Sequence, residues 1–62
     1  MPYVSLRVAG ELSKEQKSKI SAGVTEVIAR EAGKAPETFV IFIDEVKHEN
    51  IAKGGVCLTP PK

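Results

Sequence analysis

The sequence predicts an α/β fold in which two parallel strands are joined by one long helix and followed by a C-terminal hairpin arm. The prediction places these elements in a single domain, residues 1–62. Residues 2–8 alternate between apolar and other side chains, residues 14–32 carry apolar side chains at helical spacing, and residues 38–45 are largely apolar on both faces. A chain this short buries only about 60% of its unfolded surface, so we also expect it to assemble into an oligomer.

The first predicted strand, residues 2–8, should present one apolar face. Because side chains alternate across a strand, every second residue shares a face. The two faces are made by Val4, Leu6 and Val8 on one side and by Tyr3, Ser5 and Arg7 on the other. The first face is expected to contact the helix that follows in the chain.

The predicted helix, residues 14–32, has recognisable start and stop signals. Ser13 and Gln16 have the spacing of a capping box, in which each side chain bonds the backbone of the other residue. Gly33 is a typical residue after a helix end, and Pro36 prevents the helix from resuming. The apolar stripe is formed by Ile20, Val24, Val27, Ile28 and Ala32, and favourable charge pairs are expected for Glu15–Lys19 and Glu26–Arg30.

The second predicted strand, residues 38–45, is the strongest indication of assembly. The intervening helix is long enough for a right-handed crossover, which predicts that the two strands are parallel. One helix covers one face of a two-stranded sheet, and no further element remains to cover the other face. Depending on register, the uncovered side chains are either Val40 and Phe42 or Phe39, Ile41 and Ile43. We expect another copy of the chain to bury them.

The C-terminal arm, residues 51–58, contains a Gly-Gly pair between two short apolar runs. Gly54 and Gly55 are typical of a tight hairpin turn. A two-stranded hairpin of this length is not stable alone. We therefore expect the arm to lie on a neighbouring subunit.

Composition argues against several functional classes. The formal net charge is +1, without the basic excess of nucleic-acid-binding proteins. One cysteine, Cys57, excludes an internal disulfide, and one histidine adds too few ligands for a zinc site. The sequence contains neither a signal-peptide pattern nor an apolar run long enough for a membrane span. We expect a cytoplasmic protein that uses no metal or cofactor and contacts neither nucleic acid nor membrane.

Pro2 is the principal catalytic candidate. It follows the initiator Met1, and small residues at this position generally permit removal of the methionine. Removal would leave Pro2 with a free secondary amine. Burial or a neighbouring positive charge would lower the pKa of that amine, and a base that is neutral near pH 7 suits proton transfer.

The order of these features resembles the tautomerase superfamily, specifically the short-chain 4-oxalocrotonate tautomerase-like group. The matching segments are Pro2 before the first strand, residues 13–17 at the helix start, residues 36–46 through the second strand, Glu49-Asn50 and Gly54-Gly55. The resemblance implies a βαβ protomer of the tautomerase/MIF-like fold, usually assembled as a homohexamer without a cofactor. It implies keto-enol tautomerisation of a dienol or small 2-oxo acid, with Pro2 as the general acid and base.

The sequence departs from this family where substrate carboxylates are bound. Two family arginines correspond to Leu12 and to Val40, or to Phe39 or Ile41 if the alignment slides by one residue. A family aromatic residue corresponds to Ile51. These replacements disfavour a dicarboxylate and favour a monoacid or a more neutral substrate, because apolar side chains cannot pair with a second carboxylate.

Two remaining cations are candidates for substrate binding. Arg7 is either a substrate contact or an interface residue, and Lys53 is either a substrate contact or a solvated turn residue. Two further readings of the function stay open. One is a dehalogenase-like or decarboxylase-like activity on a small 3-substituted acid, and the other is a non-catalytic oligomeric binder of small ligands.

Overall fold

A computed structural model describes residues 1–60. Strand β1 (Tyr3–Ala9) leads through a loop to helix α1 (Lys14–Ala32), and strand β2 (Val40–Val46) follows. The arm contains strands β3 (Ala52–Lys53) and β4 (Val56–Cys57). Single turns of 3-10 helix, Pro36–Thr38 and His48–Asn50, precede β2 and the arm.

Strands β1 and β2 pair in parallel, as predicted for two strands joined by a helix. Their register aligns Val4 with Ile41 and Leu6 with Ile43, so these four apolar side chains share one face. Helix α1 lies on this face, because its Lys17 contacts Glu45, which is aligned with Val8. The observed βαβ arrangement with an antiparallel β3–β4 hairpin confirms the predicted fold class.

Helix α1 begins and ends at the predicted residues. The Ser13 hydroxyl accepts a hydrogen bond from the Gln16 N–H at 3.1 Å, and the Gln16 side chain accepts one from the Ser13 N–H at 2.8 Å. Gly33 ends the helix with φ of 67°, a conformation that glycine adopts without steric cost. The local start and stop signals therefore determine both helix ends.

Three details differ from the sequence-based expectations. Strand β2 begins at Val40 rather than at residue 38, because Pro36 starts a 3-10 turn that extends to Thr38. In the helix, the predicted stripe residues Val27 and Ala32 are exposed. The Arg30 guanidinium pairs with the adjacent Glu31 at 3.2 Å rather than with Glu26 as expected, whereas the Glu15–Lys19 pair forms at 3.1 Å.

The second face of the sheet is open in the single chain. Tyr3 is 68% exposed and Phe42 is 51% exposed, and their rings stack with centroids 6.4 Å apart. The register thus decides between the two alternatives, since Val40 and Phe42 occupy the uncovered face with Tyr3.

The isolated chain has more surface than a folded monomer of its mass. Its accessible surface is 5084 Å², against about 3,900 Å² expected from the scaling of folded monomers. Its radius of gyration is 14.5 Å, against about 10.6 Å for a compact domain of this length. Within residues 1–60, Ala29 is the one apolar residue that is buried, with 8% of its surface exposed. This geometry leaves a large area for contacts with other copies.

Within residues 1–60, no helix combines the length and the apolar character that crossing a membrane would require.

Candidate active site

Pro2 lies at the amino end of the sheet, immediately before β1. Its carbonyl oxygen accepts a hydrogen bond from the Val40 N–H at 3.0 Å, which continues the parallel ladder by one position. Pro2 is half-buried, and Met1 is exposed. While Met1 is attached, the Pro2 nitrogen is an amide and has no basicity.

A groove of about 920 Å³ lies at the opposite, carboxyl end of the strands. Leu12, from the loop between β1 and α1, lines this groove together with Lys17 and Glu45. The Glu45 carboxylate lies 2.6 Å from the Lys17 ammonium and accepts a hydrogen bond from the Leu12 N–H at 2.8 Å. A charged network therefore joins the loop, the helix and β2.

The network lowers the pKa of Glu45. The Lys17 ammonium is the main cause, and the Leu12 N–H adds a second hydrogen bond to the charged carboxylate. The carboxylate therefore remains ionised at neutral pH, where it holds both partners.

A smaller hollow of about 380 Å³ brings together two of the predicted site residues, Arg7 and Ile51, beside Asn50. Arg7 lies on the open face of the sheet, where its guanidinium is 3.6 Å from the Asp44 carboxylate. The two side chains are 81% and 60% exposed. Arg7 is thus a cation that solvent or another molecule can reach.

The family model described as "Tautomerase enzyme" matches residues 2–59 of the chain. The chain belongs to the tautomerase family. The predicted resemblance is thereby confirmed, and the match begins at Pro2, the residue that the sequence singles out for catalysis.

Curated relatives support the assignment of the tautomerase as an isomerase. The chain is 40% identical over 60 residues to a probable tautomerase, K2, from Dickeya dadantii, covering 95% of the chain and 90% of the relative. It is 33% identical over 59 residues to the 2-hydroxymuconate tautomerase of Bacillus subtilis, covering 95% of each. The protein is therefore an enzyme of the 4-oxalocrotonate tautomerase-like type.

Solved structures share the fold of this tautomerase. YwhB, a homologue of 4-oxalocrotonate tautomerase, matches with a TM-score of 0.87 and 30% identity over 98% of the chain and 100% of the other chain. A structure from the analysis of trans-3-chloroacrylic acid dehalogenase activity matches with a TM-score of 0.81 and 31% identity, over 94% and 100%. The same fold thus occurs with two reaction types.

A single tautomerase chain does not gather all the predicted site residues. Pro2 contacts Val40 at one end of the sheet, whereas Leu12 lies beyond the other end. The seven residues of β1 span about 23 Å at roughly 3.3 Å per residue. Lys53 lies on β3, opposite Val56, and is exposed.

Sequence reasoning missed the role of Glu45. The Glu45 side chain lies on the face of the sheet that the helix covers, together with Ile41 and Ile43. Alternate residues of a strand point to the same face, and Glu45 is the next alternate residue after Ile43. A charge at a position of this parity normally needs a partner. The place of a charged residue in the apolar alternation of β2 was the available signal. Its partner Lys17 is 28 residues away and can be assigned only once the helix is placed over the sheet.

Within residues 1–60, no group of three or more His, Cys, Asp or Glu side chains is arranged to hold a metal ion.

Proposed function

We propose that this tautomerase catalyses keto-enol tautomerisation of a small 2-oxo acid, with Pro2 as the general acid and base after removal of Met1. The observation that carries this proposal is the family match beginning at Pro2, at the amino end of β1. The backbone bond from Val40 to the Pro2 carbonyl holds the residue there without involving its nitrogen. The nitrogen is therefore free to exchange a proton once Met1 is removed.

The reaction needs one group that both accepts and returns a proton. The neutral Pro2 amine takes the proton of the enol hydroxyl and delivers a proton to carbon, and the reverse sequence regenerates the enol. A partly buried site favours the neutral amine because desolvation penalises its charged form. The half-buried position of Pro2 supports this requirement.

We propose that the substrate carries a single carboxylate. Leu12, Val40 and Ile51, the positions at which the family resemblance indicates substrate contacts, are apolar. Arg7 and Lys53 are the proposed cationic contacts. Arg7 shares a hollow with Ile51. In a substituted 2-oxo monoacid, the carboxylate would pair with the Arg7 cation and the apolar substituent would contact Ile51.

We propose that the active site is shared between copies, in a homo-oligomer with hexamer as the expected state. Pro2 and Leu12 lie at opposite ends of β1, so one substrate molecule meets both only where two chains adjoin. The open sheet face and the extended arm support such an assembly. The cytoplasm is the proposed location, because the lone thiol of Cys57 suits a reducing compartment.

The proposal is tested with fractions of one preparation that differ only in Met1. Intact mass spectrometry assigns each fraction, and ketonisation of phenylenolpyruvate and of 2-hydroxymuconate is followed by absorbance. We expect activity in the Met1-free fraction, greater efficiency with the monoacid, and a loss of roughly 10²-fold or more in Pro2→Ala. A Pro2→Ala variant as active as the wild type would refute proline catalysis.

A hydrolytic dehalogenation is the second candidate, because the dehalogenase structure matches at 31% identity with a TM-score of 0.81. Release of chloride from trans-3-chloroacrylate by the Met1-free fraction tests it. Chloride release above that of free proline would establish this activity. Absence of turnover with all three acids would refute both proposed reactions and would favour the non-catalytic binder.

A further inference from the structure

The Glu45 carboxylate connects three separate segments of the chain. One oxygen, Oε1, lies 2.6 Å from Lys17 Nζ in helix α1, and the other, Oε2, accepts the Leu12 N–H at 2.8 Å. Glu45 itself belongs to β2. The two contacts span 28 and 33 residues of sequence, so one side chain ties the loop and the helix to the sheet.

The loop depends on this side chain at one specific point. At its start, the Gly10 N–H donates to the Val46 carbonyl at 2.8 Å, which extends the backbone pairing of the sheet. At its end, Ser13 is held by the capping box. Between these two attachments, the Leu12 N–H has the Glu45 carboxylate as its partner. The Leu12 backbone is thus held by a side chain.

The Lys17–Glu45 ion pair is less exposed than the other ion pairs within residues 1–60. The side chains of Lys17 and Glu45 are 38% and 27% exposed, whereas those of Lys19 and Glu15 are 78% and 75% exposed. A less exposed pair is less screened by solvent and salt. The other charged or titratable side chains lining the groove are those of Glu11, Lys47, His48 and Glu49.

We propose that Glu45 is a positioning residue for the tautomerase reaction. The Glu45 carboxylate holds Leu12 at the substrate site by accepting the Leu12 N–H, and Lys17 orients that carboxylate. The inference rests on the proposed function, since it requires Leu12 to contact the substrate. Glu45 acts through the loop and does not touch the reacting atoms.

Two substitutions of Glu45 separate its two contacts, and a third variant is the control. Glu45→Gln keeps an oxygen that can accept the Leu12 N–H but loses the charge that pairs with Lys17. Glu45→Ala loses both contacts. Glu15→Gln is the matched control, because it removes the same charge from an ion pair on the same helix that touches neither the loop nor the groove.

The first measurement is hydrogen exchange of the Leu12 amide by NMR, which needs no enzymatic activity. We expect exchange to be at least about fivefold faster in Glu45→Ala, as for the loss of one hydrogen bond. Glu45→Gln should retain most of the protection, and Glu15→Gln should match the wild type. Equal Leu12 exchange in the wild type and Glu45→Ala would overturn the inference.

The second measurement is the steady-state kinetics of Met1-free protein with phenylenolpyruvate. We expect KM to rise about two- to tenfold in Glu45→Ala, with a smaller change in kcat, and to return toward the wild-type value in Glu45→Gln. A purely structural role would lower thermal stability in both variants and leave KM unchanged, which contradicts the inference. If the wild type turns over neither enol acid, the proposed function fails, and Leu12 exchange alone decides whether Glu45 holds the loop.

Discussion

The two faces of the β1–β2 sheet differ in what completes them. The inner face consists of Val4, Leu6, Ile41 and Ile43 and is covered by α1 of the same chain. The outer face carries Tyr3 and Phe42, which remain exposed, together with the Arg7–Asp44 ion pair. Both faces arise from the same two strands.

This difference shows how much of the fold one chain can complete by itself. A helix can cover one face because the crossover between parallel strands places it there. The second face, with its stacked and exposed aromatic rings, has to be covered by another molecule. The large accessible surface of the isolated chain agrees with this expectation. Changes on the inner face should therefore act on the stability of the chain, and changes on the outer face on its assembly.

The largest expected effect is on the outer face. Phe42→Glu places a carboxylate where we expect another copy to pack, and an unpaired buried charge costs roughly 3–5 kcal/mol. Association should weaken on the order of a hundredfold or more in sedimentation equilibrium. Ala22→Glu, on the exposed side of α1, is the control and should assemble normally. Unchanged association of Phe42→Glu would remove the outer face from the interface.

On the inner face, Leu6→Ala should lower the free energy of unfolding by about 2–3 kcal/mol through lost burial and the cavity that remains. Ser5→Ala is the matched control on the outer face and should change it by less than about 0.5 kcal/mol. Denaturant unfolding at one fixed protein concentration measures both, because assembly makes stability concentration-dependent. Equal losses in the two variants would contradict the distinction between the faces.

The helix that covers the inner face should be weakened by loss of its cap. Ser13→Ala removes the acceptor of the Gln16 N–H and should cost about 1 kcal/mol. Ser13→Asn, another good N-cap residue, should restore most of the stability. The same unfolding measurement applies, and an unchanged midpoint for Ser13→Ala would show that the capping box contributes nothing.

The ion pair on the inner face should be visible in the pH dependence of stability. Lys17, followed by the Leu12 N–H, lowers the pKa of Glu45, so the folded chain favours the ionised carboxylate. That stabilisation is fully present above the ordinary pKa of a glutamate and is lost as the pH falls through the lowered folded value. In Glu45→Gln, the midpoint temperature of unfolding should fall less steeply than in the wild type as the pH is lowered. A profile identical to the wild type would exclude this linkage.

The smallest effect is expected for the ion pair on the outer face. Arg7 and Asp44 are largely exposed and 3.6 Å apart, so Arg7→Gln should change the free energy of unfolding by less than about 0.5 kcal/mol. If Arg7 binds the substrate carboxylate, the same variant should nevertheless raise KM for phenylenolpyruvate. A large loss of stability would show that the Arg7–Asp44 ion pair stabilises the fold despite its exposure.

Local sequence signals predicted most of the fold. Ser13, Gln16 and Gly33 located the helix ends because caps act over three or four residues. The start of β2 was misplaced by two residues, since Pro36 is compatible with both a loop and a 3-10 turn.

The candidate site was less predictable from sequence. Pro2 could be singled out because it follows Met1 and because the order of segments after it resembles a known family. The neighbourhood of Arg7 and Ile51 and the network around Glu45 depend on residues far apart in the chain, and no local pattern encodes those distances.

The sequence by itself determined the alternation of β1, the ends of α1, and a second strand too apolar for one chain to cover. These properties follow from the order and spacing of residue types in the sequence, which are the same in any conformation of the chain. Only the tertiary structure decided the register that puts Phe42 beside Tyr3, and the crossing of α1 that brings Lys17 to Glu45. Register and crossing are set by how whole surfaces pack, because many weak contacts between distant residues must be satisfied together.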